Sequence, residues 1–499
     1  MRKKPEVDYE GVFPSKFSRP RESAPPEPPL TPDVVFTPSG AAAIPSHAAP
    51  GISAAPVSGE AQVIPGKEKK PKPTFMELEA GKWTAGRGHG VTFICLFLFS
   101  VVLFLRPYEL IPALSSFKTM AFWVGIVTLA VFAVTQVAIE GNLTARPREV
   151  NMVLLFGLGA LLSIPLAIDR AEAWEEFMDI VIKTLLIFIV IVNVVRTEWR
   201  VRLLWFLVLG VSIYLSINVI ADYQAGVFKI GAAETNTQRV AGAIRGLFDN
   251  SNDLALHLVT MIPIAFALGI EKKSLSRKLV YFPITLLMVA AVIITFSRGG
   301  FLGLIAMTLV LARKLSRRNK SAALATVVLG VIFFLAVAPA SYSGRLATIF
   351  DSASDITGSS SQRTQVLKRS ILVALRYPLF GVGIGNFHHK SFQELGTHNA
   401  YTQVGAETGI PAMIAYIIFL VHPLRKLRLM EREMYERNDT SRFYYLSIGL
   451  QASLVGFMVA SFFAAVAYQW YIYYLVGYAI ALRRVYYLEQ QQKISQASG

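Results

Sequence analysis

The residues best able to do chemistry in this chain are a few arginines and one histidine. Arg298 stands in the turn Ser297-Arg298-Gly299-Gly300, between two apolar runs. Arg239 and Arg245 lie six apart in the polar stretch 222–253, which ends in Asp249-Asn250-Ser251-Asn252-Asp253. Arg363 lies in a second polar stretch, 339–398, which closes on His398-Asn399-Ala400-Tyr401 and is followed by Glu407-Thr408-Gly409. A guanidinium presents five donors in a planar fork and suits a phosphate or diphosphate. An imidazole titrates near neutrality and can accept or orient a proton. The pattern points to an anion held beside a hydroxyl to be activated.

Each residue also has a plainer reading. Gly299 and Gly300 read as leaving N–H groups open at a helix start, a ready phosphate site beside Arg298. They equally read as a turn with φ > 0 whose arginine snorkels to headgroups. Asn250, Asn252 and Asp253 read as caps of the next helix, which does not account for Arg239 and Arg245. His398 reads as a cap as readily as a catalyst. Glu407 falls nine residues on, inside an apolar segment where an acid is costly unless partnered or facing a cavity. Nine residues is two and a half helical turns, so no His398–Glu407 dyad is inferred. Gly381-Val382-Gly383-Ile384-Gly385 follows Tyr377-Pro378 rather than a strand, with no acidic residue about twenty on, so it reads as a surface turn and not a nucleotide loop. His388 and His389 are adjacent, are expected to point apart and have no third ligand at useful spacing, so no metal site is predicted.

These residues need elements to hold them, and the composition says which. The chain has 499 residues, 53% hydrophobic and only 16% charged, with a mean hydropathy of +0.47. Soluble domains are usually about a quarter charged. Apolar runs reach the ~18–20 residues that cross a hydrocarbon core of ~30 Å. The expectation is an all-α, multi-pass membrane protein. The net charge of +16 sits in short loops between spans, which argues against nucleic acid as partner. Cys95 is the only cysteine and lies in an apolar run, which excludes an internal disulfide and a thiolate metal site. The N-terminus shows no signal-peptide core. Residues 1–73 hold 15 of the 25 prolines and read as a disordered tether, followed by a juxtamembrane segment, 74–90. The basic stretch Lys67 to Lys72 favours anionic headgroups.

Twelve spans are predicted, at about 91–105, 117–139, 150–168, 177–195, 201–221, 254–270, 278–296, 299–312, 321–338, 399–421, 444–464 and 466–482. The last two nearly touch, which leaves eleven open. The loops after even-numbered spans are short and basic, so they and both termini, including the tail 483–499, are placed in the cytoplasm. The large loop 339–398, helical in part, then caps a cavity on the outer face. Basic residues are disfavoured on that side, and the arginines placed there regardless reinforce the case for an anion.

Three pieces occur in order: Leu247-Phe248-Asp249-Asn250-Ser251-Asn252; Thr295-Phe296-Ser297-Arg298-Gly299-Gly300; and Arg363 with Tyr377-Pro378-Leu379-Phe380-Gly381-Val382-Gly383-Ile384-Gly385-Asn386-Phe387, then His398-Asn399-Ala400-Tyr401. Over residues 90–482 the chain resembles the O-antigen ligase and polymerase family of bacterial membrane glycosyltransferases. His398, Asn399 and Gly409 fit the ligase signature, while Ala412 departs from it at the last place. The resemblance implies an inner-membrane enzyme that takes a glycan from undecaprenyl pyrophosphate at the outer leaflet and passes it, with inversion and without metal or cofactor, to a glycan, a lipid A core or a protein. It implies that Arg298 and Arg245 grip the diphosphate with help from Arg363 and, less strongly, Arg239. His398 would activate the acceptor, with Glu407 and Asn399 in support. The rival from another class is a transporter or flippase of lipid-linked sugar.

Overall fold

The computed structural model describes residues 74–499, apart from 81–82, 84–87, 118, 228, 231–237, 240–241, 243, 245–247, 249, 272–273, 339–358, 392–393 and 499. The predicted tail, 1–73, lies outside the described residues. The chain runs through α1 (Phe75–Glu79), α2 (Gly90–Leu105), α3 (Pro107–Leu110), α4 (Met120–Glu140), α5 (Arg148–Ser163), α6 (Arg170–Glu176), α7 (Ile182–Val194), α8 (Glu198–Gln224), α9 (Ser251–Ile270), α10 (Leu275–Ile294), α11 (Arg298–Leu315), α12 (Lys320–Val337), α13 (Ser359–Arg376), α14 (Ala400–Thr408), α15 (Ile410–Glu436), α16 (Arg442–Ala460) and α17 (Trp470–Ser498). Extended pairing among the described residues is limited to a two-residue antiparallel ladder, Lys229–Ile230 with Gln238–Arg239. The fold is all-α.

Nine helical segments among the described residues are long and apolar enough to cross a membrane. The predicted spans 8, 9 and 12 form α11, α12 and α17, which are not among those nine. The helix α9 is apolar on every face and is buried over 89% of its span, against 17% for α4. It therefore forms the centre of the bundle, packed by α10, α11 and α16, while α4 shows Ile126, Val127, Val134 and Val137 outward. A contiguous outward apolar surface on so hydrophobic a chain fits lipid contact. Beside Pro263, inside α9, Ser453 Oγ donates to the Thr260 carbonyl at 2.6 Å. Such small polar side chains join neighbouring helices in bundles.

Much of the charge in the predicted cytoplasmic loops is paired. Arg202 grips Glu271 with two bonds of 3.0 Å and Arg277 meets the same carboxylate. Lys314 pairs with buried Glu431, Arg196 with Glu140, Arg442 with Glu198 at 2.7 Å and Arg483 with buried Glu149 at 2.6 Å. These contacts tie helix ends to one another. About 27 Å of helix, 18 residues at 1.5 Å each, separates the basic end of α11 from Arg298 at its start.

The predicted span 399–421 is not one helix. It breaks at Gly409 into α14 and α15, and only Ile410–Glu436 qualifies as a span. Gly409 has φ 93° and ψ 166°, a region open essentially to glycine alone. A Cβ there would lie 2.2 Å from the Leu379 carbonyl oxygen. The apolar residues on both sides hide this turn from a hydropathy reading. Gly409→Ala is expected to destabilise the protein by about 2 kcal/mol or more, measured as a lower thermal midpoint in detergent. An unchanged midpoint would mean that the break does not depend on this backbone geometry.

Candidate functional site

Arg298 is the first residue of α11. The cap is Ser297, whose Oγ accepts from the Gly300 N–H at 3.2 Å and donates to Asn252 Oδ1 at 2.8 Å. Asn252 therefore fixes the turn that presents Arg298, while Asn250 is the residue that caps α9. The Gly300 N–H is consequently not open to a ligand, contrary to the sequence reading. Nor do Gly299 and Gly300 serve a turn with φ > 0, for both are helical. Added Cβ atoms would lie 2.9 Å from Phe463 Cβ and 2.6 Å from Ala255 Cβ, so these glycines let the start of α11 press against its neighbours.

His398 precedes α14 with φ 51°, an uncommon conformation for a non-glycine residue. It is not the cap. Asn399 is, accepting from the Tyr401 and Thr402 N–H groups at 2.9 and 3.0 Å and donating through Nδ2 to the Phe462 carbonyl at 3.1 Å. Tyr401 Oη donates to the Met458 carbonyl at 2.8 Å. Tyr468 Oη donates to Glu407 Oε2 at 2.6 Å. Along its whole length α14 is thus tied to the segment 458–468, and His398 is fixed where that helix begins.

Its other end is held by the glycine-rich loop, which is not a surface turn. Val382, Ile384 and Asn386 are buried. The Val382 and Gly383 N–H groups donate to the carbonyls of Ala406 and Glu407 at 2.9 and 3.0 Å, and Ile410 N–H donates to the Pro378 carbonyl at 2.7 Å. The loop supplies donors to carbonyls that the end of α14 would leave orphaned.

These supports bring separated residues to one cavity of about 180 Å³. Arg298 and Leu302 line it from α11, Arg363, Thr364 and Leu367 from α13, and Thr397, His398 and Asn399 from the approach to α14. Phe462 and Phe463 complete it. Thr397 was not singled out by the sequence: its hydroxyl is buried with no hydrogen-bond partner among the described residues, which residue spacing does not reveal. Glu407 does not line the cavity and stays beneath the glycine loop. Arg239 lies in the short ladder, and its side chain, like Arg245 as a whole, is outside the described residues. The signature's odd place, Ala412, is buried where α15 meets α5, and a Cβ on the facing Gly159 would lie 2.8 Å from its own. The contact leaves no room for a larger side chain at either position.

The two adjacent histidines do not point apart. His389 Nε2 lies 2.8 Å from Glu172 Oε2 and His388 Nε2 lies 3.6 Å from Glu172 Oε1, with the ring centres 4.0 Å apart. The third group comes from more than two hundred residues away, which local spacing does not show.

Residues 283–417 match the family model described as O-antigen ligase, a match that supports assignment to the O-antigen ligase and polymerase family. Among curated proteins none matches the chain. The matched segment contains Arg298, Arg363 and His398 and leaves out Arg239 and Arg245.

Glu407 lies in α14, outside the nine spanning segments, and burial pushes its carboxyl up to about 8, against the Tyr468 hydrogen bond that favours the charged form. Folding favours the neutral acid. Its contribution is complete below the unfolded value near 4.5 and is lost as pH rises through about 8. Glu407→Gln keeps an acceptor for Tyr468 and cannot ionise. The wild type should therefore lose thermal stability relative to this variant between pH 5 and 9. Parallel midpoints across that range would show that the carboxyl is already ionised in the folded protein.

Proposed function

We propose that this chain is a glycosyltransferase of the O-antigen ligase type that moves a glycan from undecaprenyl pyrophosphate to an acceptor hydroxyl on the outer face of the bacterial inner membrane. The observation that carries the reading is the shared cavity of Arg298, Arg363 and His398. Two guanidinium-bearing side chains and an imidazole converge there from three elements, within the segment that matches the ligase family.

The step needs little else. The acceptor oxygen attacks the anomeric carbon from the face opposite the diphosphate. The new C–O bond forms as the bond from that carbon to the phosphate oxygen breaks. Arg298 and Arg363 neutralise the charge that grows on the departing undecaprenyl pyrophosphate. His398 takes the hydroxyl proton, and the product is inverted at the anomeric carbon. Thr397 offers a hydrogen bond to the same polar group. The cavity of about 180 Å³ receives the diphosphate and the reacting carbon, with lipid and glycan outside. The half-exposed ring of Phe462 suits the first isoprene units. The acceptor is a lipid A core, a growing glycan or a protein.

Arg298→Lys keeps the charge but loses the fork, and is expected to cut transfer about a hundredfold, ~3 kcal/mol of barrier. His398→Asn is expected to abolish transfer while donor binding by the purified protein stays close to wild type. Turnover near wild type in both variants would remove the cavity from the reaction.

The sidedness has its own test, motivated by the basic loops. A reporter active only outside the cytoplasm should be active when fused at residue 360 and silent at 317 and 432. Activity at 432 would put His398 on the wrong side for an outer-leaflet donor.

A further inference from the structure

We infer that Glu172, His388 and His389 form a binding site for a divalent transition metal, with Zn²⁺ the best match, that clamps the glycine-rich loop to the start of α6. The site does not rest on the transfer reaction proposed above and lies outside the Arg298–His398 cavity. Among the described residues these three offer ligand atoms all within 4.8 Å of one another.

The ligand chemistry fits. Two imidazoles and a carboxylate are a borderline set that suits Zn²⁺. Bonds of ~2.0–2.1 Å at tetrahedral angles place ligand atoms ~3.3 Å apart. His388 Nε2 lies 3.6 Å from Glu172 Oε1 and His389 Nε2 lies 2.8 Å from Glu172 Oε2, the two oxygens of one carboxylate, so side-chain rotations that bring the three ligand atoms from within 4.8 Å of one another to that spacing close the site. His388 Nδ1 lies 3.0 Å from the Gly385 carbonyl oxygen, which can only accept. That nitrogen must carry a proton, so in the neutral imidazole the Nε2 lone pair faces Glu172. A second hydrogen bond that fixes the tautomer in this way is the usual support of a metal-ligating histidine. All three groups are part-exposed, which gives a metal access and leaves a fourth position for water.

The backbone already holds the two segments together. Ile168 N–H donates to the Val382 carbonyl at 3.1 Å, Asp169 N–H to Asn386 Oδ1 at 2.6 Å and Ile384 N–H to Ser163 Oγ at 3.2 Å. Asp169 caps α6 through the Ala171 and Glu172 N–H groups, which sets where Glu172 projects. The metal would thus find its ligands in place. Arg369 Nε donates to the Lys390 carbonyl at 2.7 Å, so the histidine turn also holds α13, the helix that carries Arg363. The expected role is positional: the metal fixes loop and helix and touches no reacting atom.

The test uses the full chain, purified in detergent without a polyhistidine tag, stripped with chelator and titrated with Zn²⁺ and, separately, with Co²⁺. Wild type should bind about one equivalent of Zn²⁺, gain thermal stability on binding, and show the Co²⁺ absorption of a tetrahedral site. Glu172→Gln and His389→Gln, part-exposed and conservative, should fold normally without metal, bind Zn²⁺ at least tenfold more weakly and lose the thermal gain. His388 is left intact because its Nδ1 also holds the Gly385 carbonyl. Absence of binding by wild type at micromolar Zn²⁺ would overturn the site and leave a histidine–carboxylate ion pair. So would equal binding by wild type and both variants.

Discussion

The hydrogen bonds that close the C-terminal end of α14 are the constraint on which the rest of the molecule depends. A helix that stops inside an apolar bundle leaves carbonyls that must find donors. The Val382 and Gly383 N–H groups supply them to Ala406 and Glu407, and Ile410 reaches the Pro378 carbonyl. The break at Gly409 is tolerable only because this loop is there, and the loop is buried only because it has this work. From the same junction the architecture runs both ways. Forward, α15 leaves as a spanning helix. Backward, α14 places Asn399 against Phe462 and His398 at the rim of the cavity.

Ion pairs tie the helix ends of the even-numbered loops together. There arginine and lysine meet buried carboxylates, as in Arg202–Glu271 and Arg483–Glu149. A buried pair is costly to break because its survivor remains uncompensated, so these contacts hold helix ends together. Arg298, at the start of α11, instead faces a cavity with Arg363 and His398.

Much of this was legible in the residues. Apolar runs marked the helices because spanning needs length and hydropathy together. Arg298, Arg363 and His398 stood out because charge and imidazole are conspicuous among apolar neighbours, and they share one cavity. What escaped was set by contacts between distant segments. The break falls at Glu407-Thr408-Gly409-Ile410-Pro411, where glycine and proline signal a helix end, but the apolar runs on either side merge into one span by hydropathy. The buried Ile384 N–H donates to Ser163 Oγ, far away in sequence. Gly299 and Gly300 read as open or turning backbone, but the packing of Phe463 and Ala255 decides their use. His388 and His389 read as divergent because Glu172 is remote in the chain. The lone Thr397 hydroxyl has no sequence mark at all.

The central claim is that the cavity between α11, α13 and the start of α14 receives the diphosphate of a lipid-linked donor. The most direct measurement is a cryo-electron microscopy structure of the protein in nanodiscs with undecaprenyl pyrophosphate, the leaving group of the proposed reaction. The account predicts density for the diphosphate between Arg298 and Arg363, within hydrogen-bonding reach of both and beside His398. Diphosphate density elsewhere, such as the basic cavity of Arg146, Arg196 and Arg484, with the Arg298 cavity filled only by solvent, would contradict it.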